Sequence, residues 1–350
     1  MKAVKFKAEG KVGKACSRAK WILSSFFEQW KNYGFSIAYP SFVWWIGNYG
    51  HKLSISFWAL KHLTPRLDRY FEKKYQSIID LYTNNQNVNN LQDKSCESYP
   101  IWVFWLQGKR QMPQLVASCY KQLTQHNSDV ILITKDNIRD YTHIPEEIYT
   151  KVTQGQISYT HLSDILRLSL LAERGGMWVD ATCFVPYSIP NEAKKEVFYS
   201  PSTRGLDDLP MWSNSRWCGW NMGSCIKNNP LFMFCRDMLY AIDINEPCLP
   251  HYLVIDYILD YAYRKIPSIK EMIDNRTEYN TKRNELHFKL NKPWNEDEYM
   301  RLCKNNWMFK LSYKTVWQSV TSDEKPTFYQ KLIKGEPDNQ QISESYGKSN

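Results

Sequence analysis

Four residues set among apolar neighbours carry the densest chemistry in this sequence: Ser163, Asp164, Arg167 and Asp180. Asp164 and Arg167 stand three apart, so a helix through them brings both to one face, beside Leu168 and Leu171. As a local ion pair they contribute only ~0.2–0.5 kcal/mol. Charges shielded by apolar neighbours cost more than that unless partners satisfy them, and a sugar nucleotide would supply several.

The apolar pattern predicts the elements that must position these groups. Residues 101–106, Ile-Trp-Val-Phe-Trp-Leu, form an unbroken apolar run that reads as a buried strand and ends at Gln107-Gly108. A helical pattern at 113–125 and a second buried run at 130–134 complete a strand–helix–strand unit, and hence a parallel sheet. A strong helix over 159–174 closes at Gly175-Gly176, where a left-handed backbone costs least, and a short strand over 177–179 delivers Asp180. A fourth strand is expected at 197–199, with covering helices at 230–242 and 251–266. In open α/β sheets ligands gather at the carboxyl ends of strands, which predicts one crevice for Gln107, Gly108 and Asp180, with Ser163, Asp164 and Arg167 projecting from the helix.

The block Ser163-Asp164-Ile165-Leu166-Arg167, then Gly175-Gly176-Met177-Trp178-Val179-Asp180-Ala181-Thr182, resembles the capsular polysaccharide synthesis protein family. That family is related to the yeast outer-chain mannosyltransferase and, more distantly, to the clostridial glucosylating toxins. Residues 104–108 and the stretches 220–222 and 229–232 are similar to other segments of it, so the resemblance spans about 99–263. It implies a GT-A, Rossmann-like α/β domain with a mostly parallel central sheet, which transfers a sugar from a nucleotide donor with retention of configuration. By the same resemblance Asp164 and Arg167 match positions that contact the donor, and Asp180 matches the first acid of a D-x-D motif that meets ribose and a divalent metal. The donor-binding set is then Gln107, Gly108, Ser163, Asp164, Arg167, Asp180 and Thr182, with Asp180, Asp164 and Arg167 catalytic.

Glycosyl transfer builds negative charge on the leaving diphosphate, and Mn²⁺ or Mg²⁺ held by Asp180 and Thr182 would answer that need. Thr182 stands where metal-binding relatives carry a second acid, and a hydroxyl is a weaker ligand than a carboxylate. Basic groups are the alternative counter-charge, with Lys310 and Lys314 in the aromatic run 307–314 as candidates; solvated surface lysines are the blander reading. The Trp-rich region 212–220 suits an acceptor loop, with Trp220 and Asn221 as its contacts. Asp207, Asp208 and Asp256 are further carboxylates that could assist, Asp256 more plausibly as a helix cap. His161 and His251 read as structural or capping histidines.

Lys and Arg number 45 against 36 Asp and Glu, a net charge of +9, and 43% of the 350 residues are hydrophobic; this composition excludes extended disorder and leaves collagen, coiled-coil and repeat architectures without support. Nine cysteines show no C-x-x-C pair and read as free thiols of a reducing compartment, with no signal peptide ahead of them. The most apolar window, 32–51, is broken by Gly34, Pro40, Gly47 and Asn48, which argues against a bilayer span. Seven lysines and arginines in the first twenty residues precede Trp21, Ile22, Phe26, Trp30 and Tyr33 at helical spacing, the pattern of an interfacial anchor on anionic lipid or else of a solvated tail and a packed helix. No nucleic-acid recognition motif accompanies the charge.

These readings divide the chain into a basic, aromatic N-terminal helical region (1–95), a transferase domain (96–320) and a polar tail (321–350). The expected protein is cytoplasmic and peripheral on the inner face of the membrane, with a lipid-linked saccharide as acceptor in capsular or exopolysaccharide synthesis. A non-catalytic sugar-nucleotide or glycan-binding subunit is the alternative, and a basic membrane-binding scaffold a second one.

Overall fold

The computed structural model describes residues 11–83, 98–202, 210–304 and 306–334. Lys2, Lys5, Lys7, Cys96, Asp207, Asp208 and the end of the expected tail lie outside them. Four helices come first: α1 (Lys11–Tyr33), α2 (Phe35–Tyr49), α3 (Leu53–Lys74) and α4 (Gln76–Thr83). The alternating part follows, with β1 (Ile101–Phe104), α5 (Gln114–His126), β2 (Val130–Ile133), α6 (Ile138–Tyr141), α7 (Glu146–Thr153), α8 (Tyr159–Glu173), β3 (Gly176–Val179), β4 (Cys183–Phe184), α9 (Asn191–Lys194) and β5 (Asn221–Ser224). The remainder comprises α10 (Pro230–Asn245), α11 (Val254–Lys265), α12 (Pro267–Asp274), α13 (Glu285–Lys289), α14 (Glu296–Lys304) and β6 (Phe309–Lys310).

This is a mixed α/β chain. Its main sheet runs β2-β1-β3-β5, with β1 and β3 parallel in the register Ile101↔Met177 and Trp102↔Trp178. The chain forms two compact units and passes from one to the other within β1.

The first unit holds the chain up to Trp102, then Asp136–Val179 and Asn191–Glu278. Helix α8 starts at Ser158, whose hydroxyl accepts the His161 amide at 3.1 Å, and it is buried almost all round, with Ile165, Leu166, Leu168, Leu170 and Leu171 wholly covered. It stops because Gly175 and Gly176 take φ of +68° and +82°. Gly176 has a second reason to lack a side chain, since a Cβ there would lie 2.2 Å from the Pro100 carbonyl oxygen. That carbonyl accepts the Met177 amide at 2.9 Å, which joins β3 to the approach of β1.

The fourth strand departs from the expectation. Residues 197–199 contribute only an isolated bridge, Tyr199 to Gly223, and the sheet is completed by β5, antiparallel to β3 with Val179 opposite Asn221. Gly223 allows the approach: a Cβ would meet the Gly176 oxygen and the Tyr99 hydroxyl, each at 2.9 Å.

The N-terminal helices are tied into this unit by polar contacts. Glu246, at the end of α10, accepts hydrogen bonds from the Tyr70 and Tyr75 hydroxyls at 2.9 and 2.7 Å and pairs with Lys74 at 2.8 Å. Asp68 takes the Tyr257 hydroxyl at 2.8 Å and pairs with Arg264 at 2.7 Å. No helix among the described residues is long and apolar enough to cross a membrane.

The second unit holds Val103–Lys135, Asp180–Pro190 and the chain from Tyr279. Trp105 donates to the Ile133 carbonyl and Lys135 to that of Leu106, which carries the β1–β2 pairing past the strand ends. Leu115, Cys119, Phe184, Leu302, Phe309, Leu311, Phe328 and Ile333 share its core. Residues 321–334, expected as the start of the tail, are therefore folded here, because Phe328 and Ile333 need cover. β4 and β6 pair antiparallel, with Cys183 opposite Lys310 and Phe184 opposite Phe309.

Candidate functional site

The predicted site residues fall into two groups, one in each unit. In the first, Arg167 donates to Asp164 at 2.9 Å and its guanidinium carbon lies 5.1 Å from the centroid of Trp178. Arg167 is only 6% exposed, so α8 and β3 hold a nearly desolvated cation against an indole face, where such contacts are strongest. On the other side of Asp164, His161 Nδ1 stands 4.0 Å from its carboxylate while Nε2 bonds the buried Asp243 at 2.8 Å. Burial alone would lower the His161 pKa, but the charge and hydrogen bond of Asp243 outweigh it and leave the imidazole raised. Asp164 thus lies between two basic groups. Asp243 was not legible as a member of this group; its only signal is an acid on the apolar face of a helix.

Ser163 is half-buried on the same helix. Asn221 is wholly buried and donates its amide to the Trp178 carbonyl at 2.7 Å, pinning the strand that carries the indole. A Cβ at Gly219 would sit 3.4 Å from Arg167 Nη1, so the segment leading to the half-buried Trp220 runs close by the guanidinium.

In the second unit, Lys310 Nζ lies 2.7 Å from Asp180 Oδ2 and 2.8 Å from the Thr182 hydroxyl. Phe309 and Leu311 turn into the core on either side of it, and Leu311 donates to the Thr182 carbonyl at 3.0 Å. The lysine is therefore held by strand register, with its head 2.7–2.8 Å from both polar side chains of the Asp-Ala-Thr turn. Lys314 is exposed and only its backbone is fixed, on Ser312 Oγ at 3.2 Å. Gln107 is exposed and Gly108, at φ +80°, closes a turn by donating to the Trp105 carbonyl at 2.9 Å.

The Trp-rich region is largely structural. Trp212 and Trp217 are 5% and 2% exposed, and Asp256 accepts from the Ser213 amide and the Trp217 indole, each at 2.8 Å. Burial pushes the Asp256 carboxyl up to about 6 against the pull of these two donors. His251 is packed edge-on between Trp44 and Trp212 and is pushed down to about 3 by burial, a neutral structural ring.

The model of the capsular polysaccharide synthesis protein family matches residues 54–332. The chain belongs to this family. No curated protein matches it. Among solved structures, the PaToxG glycosyltransferase is similar at 15% identity over 59% of this chain and 83% of that one, with a TM-score of 0.33.

The resemblance to this family implies a divalent metal at the Asp-Ala-Thr turn. A metal there would find one carboxylate and one hydroxyl, both already bonded to an ammonium group, and among the described residues no group of three or more acidic, histidine or cysteine side chains is arranged to hold a metal ion. That donor set does not fit a dedicated ion site. The described cysteines are all free thiols.

Proposed function

We propose that this member of the capsular polysaccharide synthesis family is a retaining glycosyltransferase, moving a sugar from a nucleotide donor to a glycan acceptor. One observation carries the reading. The family match runs through 54–332 and so takes in both polar groups: the Asp164–Arg167 pair stacked on Trp178, and the Asp180–Thr182 turn on Lys310.

In this reading the Asp180–Thr182 turn serves the end of the donor that leaves. When the bond between the anomeric carbon and the diphosphate oxygen breaks, both electrons go to the diphosphate while the sugar carbon becomes electron-poor. Fixed charges are effective there because they need no reorganisation at the moment of reaction.

The acceptor in this proposal is lipid-linked and the enzyme works at the inner membrane surface. What supports this is a set of exposed aromatic rings on the N-terminal helices: Phe27, Trp30, Phe35, Tyr39, Phe57 and Trp58 are 38–59% exposed, with Lys20, Lys31 and Lys61 exposed on the same helices and Lys52 exposed just before α3. Aromatic rings prefer the headgroup layer and each nearby lysine contributes about 1 kcal/mol on anionic lipid.

The test is a panel of nucleotide sugars offered to the purified protein, reading donor binding, hydrolysis and transfer. Transfer or hydrolysis that falls at least tenfold in both Asp164→Asn and Asp180→Asn is expected. Binding without turnover would favour the alternative, a non-catalytic binding subunit, which the single acid of the Asp-Ala-Thr turn motivates. No binding to any donor, with Asp180→Ala leaving cellular polysaccharide unchanged, would sink both.

A further inference from the structure

We infer that Lys310 is the diphosphate-binding cation of this protein, so that a nucleoside diphosphate binds without a metal ion; the inference rests on the glycosyltransferase reading. The turn after β3 offers one acid, Asp180, and one hydroxyl, Thr182. Where a second acid would have balanced a divalent ion, the chain supplies a single positive charge of its own, 2.7 and 2.8 Å from the two side chains.

Three features mark this lysine as built into the turn. Its backbone is fixed on both sides, its own amide donating to the Arg283 carbonyl at 2.8 Å and the next to the Thr182 carbonyl at 3.0 Å. Its neighbours Phe309 and Leu311 are buried, so a shift of one residue would carry the ammonium to the opposite face. Its side chain and that of Asp180 are 23% and 29% exposed, covered enough to orient the charge and open enough for an anion to reach it.

The chemistry suits a diphosphate. An ammonium is a compact charge that can donate to phosphate oxygens in more than one direction. Asp180 fixes the approach of the head; the Thr182 hydroxyl is a second donor that can turn from the lysine toward an incoming oxygen. A metal entering the same place would have to displace Lys310 from both partners.

The experiment is calorimetric titration of UDP and of GDP into the full chain, in EDTA and then with excess Mn²⁺, for wild type, Lys310→Met and Lys310→Arg. Expected is binding of at least one nucleotide in EDTA, within about threefold of its affinity with Mn²⁺. Lys310→Met should weaken that binding by tenfold or more, and Lys310→Arg should keep most of it. Binding seen only with Mn²⁺ overturns the inference on wild-type protein alone, whether or not the variants fold. Equal affinity in a folded Lys310→Met protein overturns it as well. If the sugar panel shows transfer that requires Mn²⁺, the inference fails and the transferase reading stands; if neither nucleotide binds under any condition and no donor is used, both fail.

Discussion

Replacing Gly176 by alanine should damage the fold far more than the dihedral angle alone predicts. A residue with a side chain at φ +82° costs about 1 kcal/mol relative to glycine. The added Cβ would also sit 2.2 Å from the Pro100 oxygen and 2.8 Å from its ring Cγ, so backbone must move. That movement stretches the 2.9 Å bond from the Met177 amide, and a buried amide left unpaired costs about 1–3 kcal/mol. Trp102 and Trp178, paired across β1 and β3 and 2% and 1% exposed, would have to repack. The sum is about 3–5 kcal/mol, a large part of the usual 5–15 kcal/mol of total stability. Gly108→Ala is the internal control, since φ is +80° there but nothing lies within 4 Å of the added carbon; it should cost only about 1 kcal/mol. Urea unfolding followed by far-UV circular dichroism separates the two. Equal midpoints for the two variants would refute the claim that close approach of β1, rather than backbone angle, demands glycine at 176.

Arg167→Lys keeps the charge but loses the flat cation over Trp178, and should cost about 1–3 kcal/mol and at least tenfold in donor turnover; unchanged melting and turnover would show that the stacking is incidental. The Asp256 carboxyl, pushed up to about 6 by burial, should make stability depend on pH. Because this folded value lies above the ordinary 3.8, the stability it contributes is complete below about pH 4 and is lost as pH rises through about 6. Asp256→Asn cannot ionise, so its melting temperature relative to wild type should improve between pH 4 and 7; a constant difference would contradict the assignment. Replacing Trp30 and Trp58, 45% and 44% exposed, by serine should weaken co-sedimentation with anionic vesicles severalfold without lowering the melting temperature, and undiminished sedimentation would remove these rings from the membrane face.

Local signals were enough where apolar runs and special backbone angles coincide. The run at 101–106, the glycine-closed helix ending at Glu173 and the short strand before Asp180 are all where their residue types place them. The fourth strand was not legible, because Asn-Met-Gly-Ser has neither β-branched residues nor alternation; it is a strand only because Gly223 lets its backbone approach Gly176. The burial of Phe328 and Ile333 was not legible for the same kind of reason. Phe328 and Ile333 are lone apolar residues in a polar segment, and only distant partners such as Leu115 and Phe184 explain their burial. Trp212 and Trp217 read as ligand-facing by composition, yet their environment is set by Asp256 and Thr64, far away along the chain.

The acids of this chain separate by how they are satisfied, and that separation is what singles out the Asp-Ala-Thr turn. Glu246, with a side chain 3% exposed, is surrounded by two phenols and a lysine and ties α3 to the end of α10. Asp256 has each oxygen on an N–H of the segment it anchors. Displacing the partners of such carboxylates would strand a covered charge, so they are committed to the fold. Asp180 is ten times as exposed as Glu246, 29% against 3%, and its lysine partner is itself 23% exposed, so an arriving anion can share the ammonium without stranding either charge. Lys310 and Lys314 were indistinguishable by composition; the alternation of buried Phe309 and half-covered Lys310 on β6 with buried Leu311 just after it decides between them, across 130 residues from Asp180.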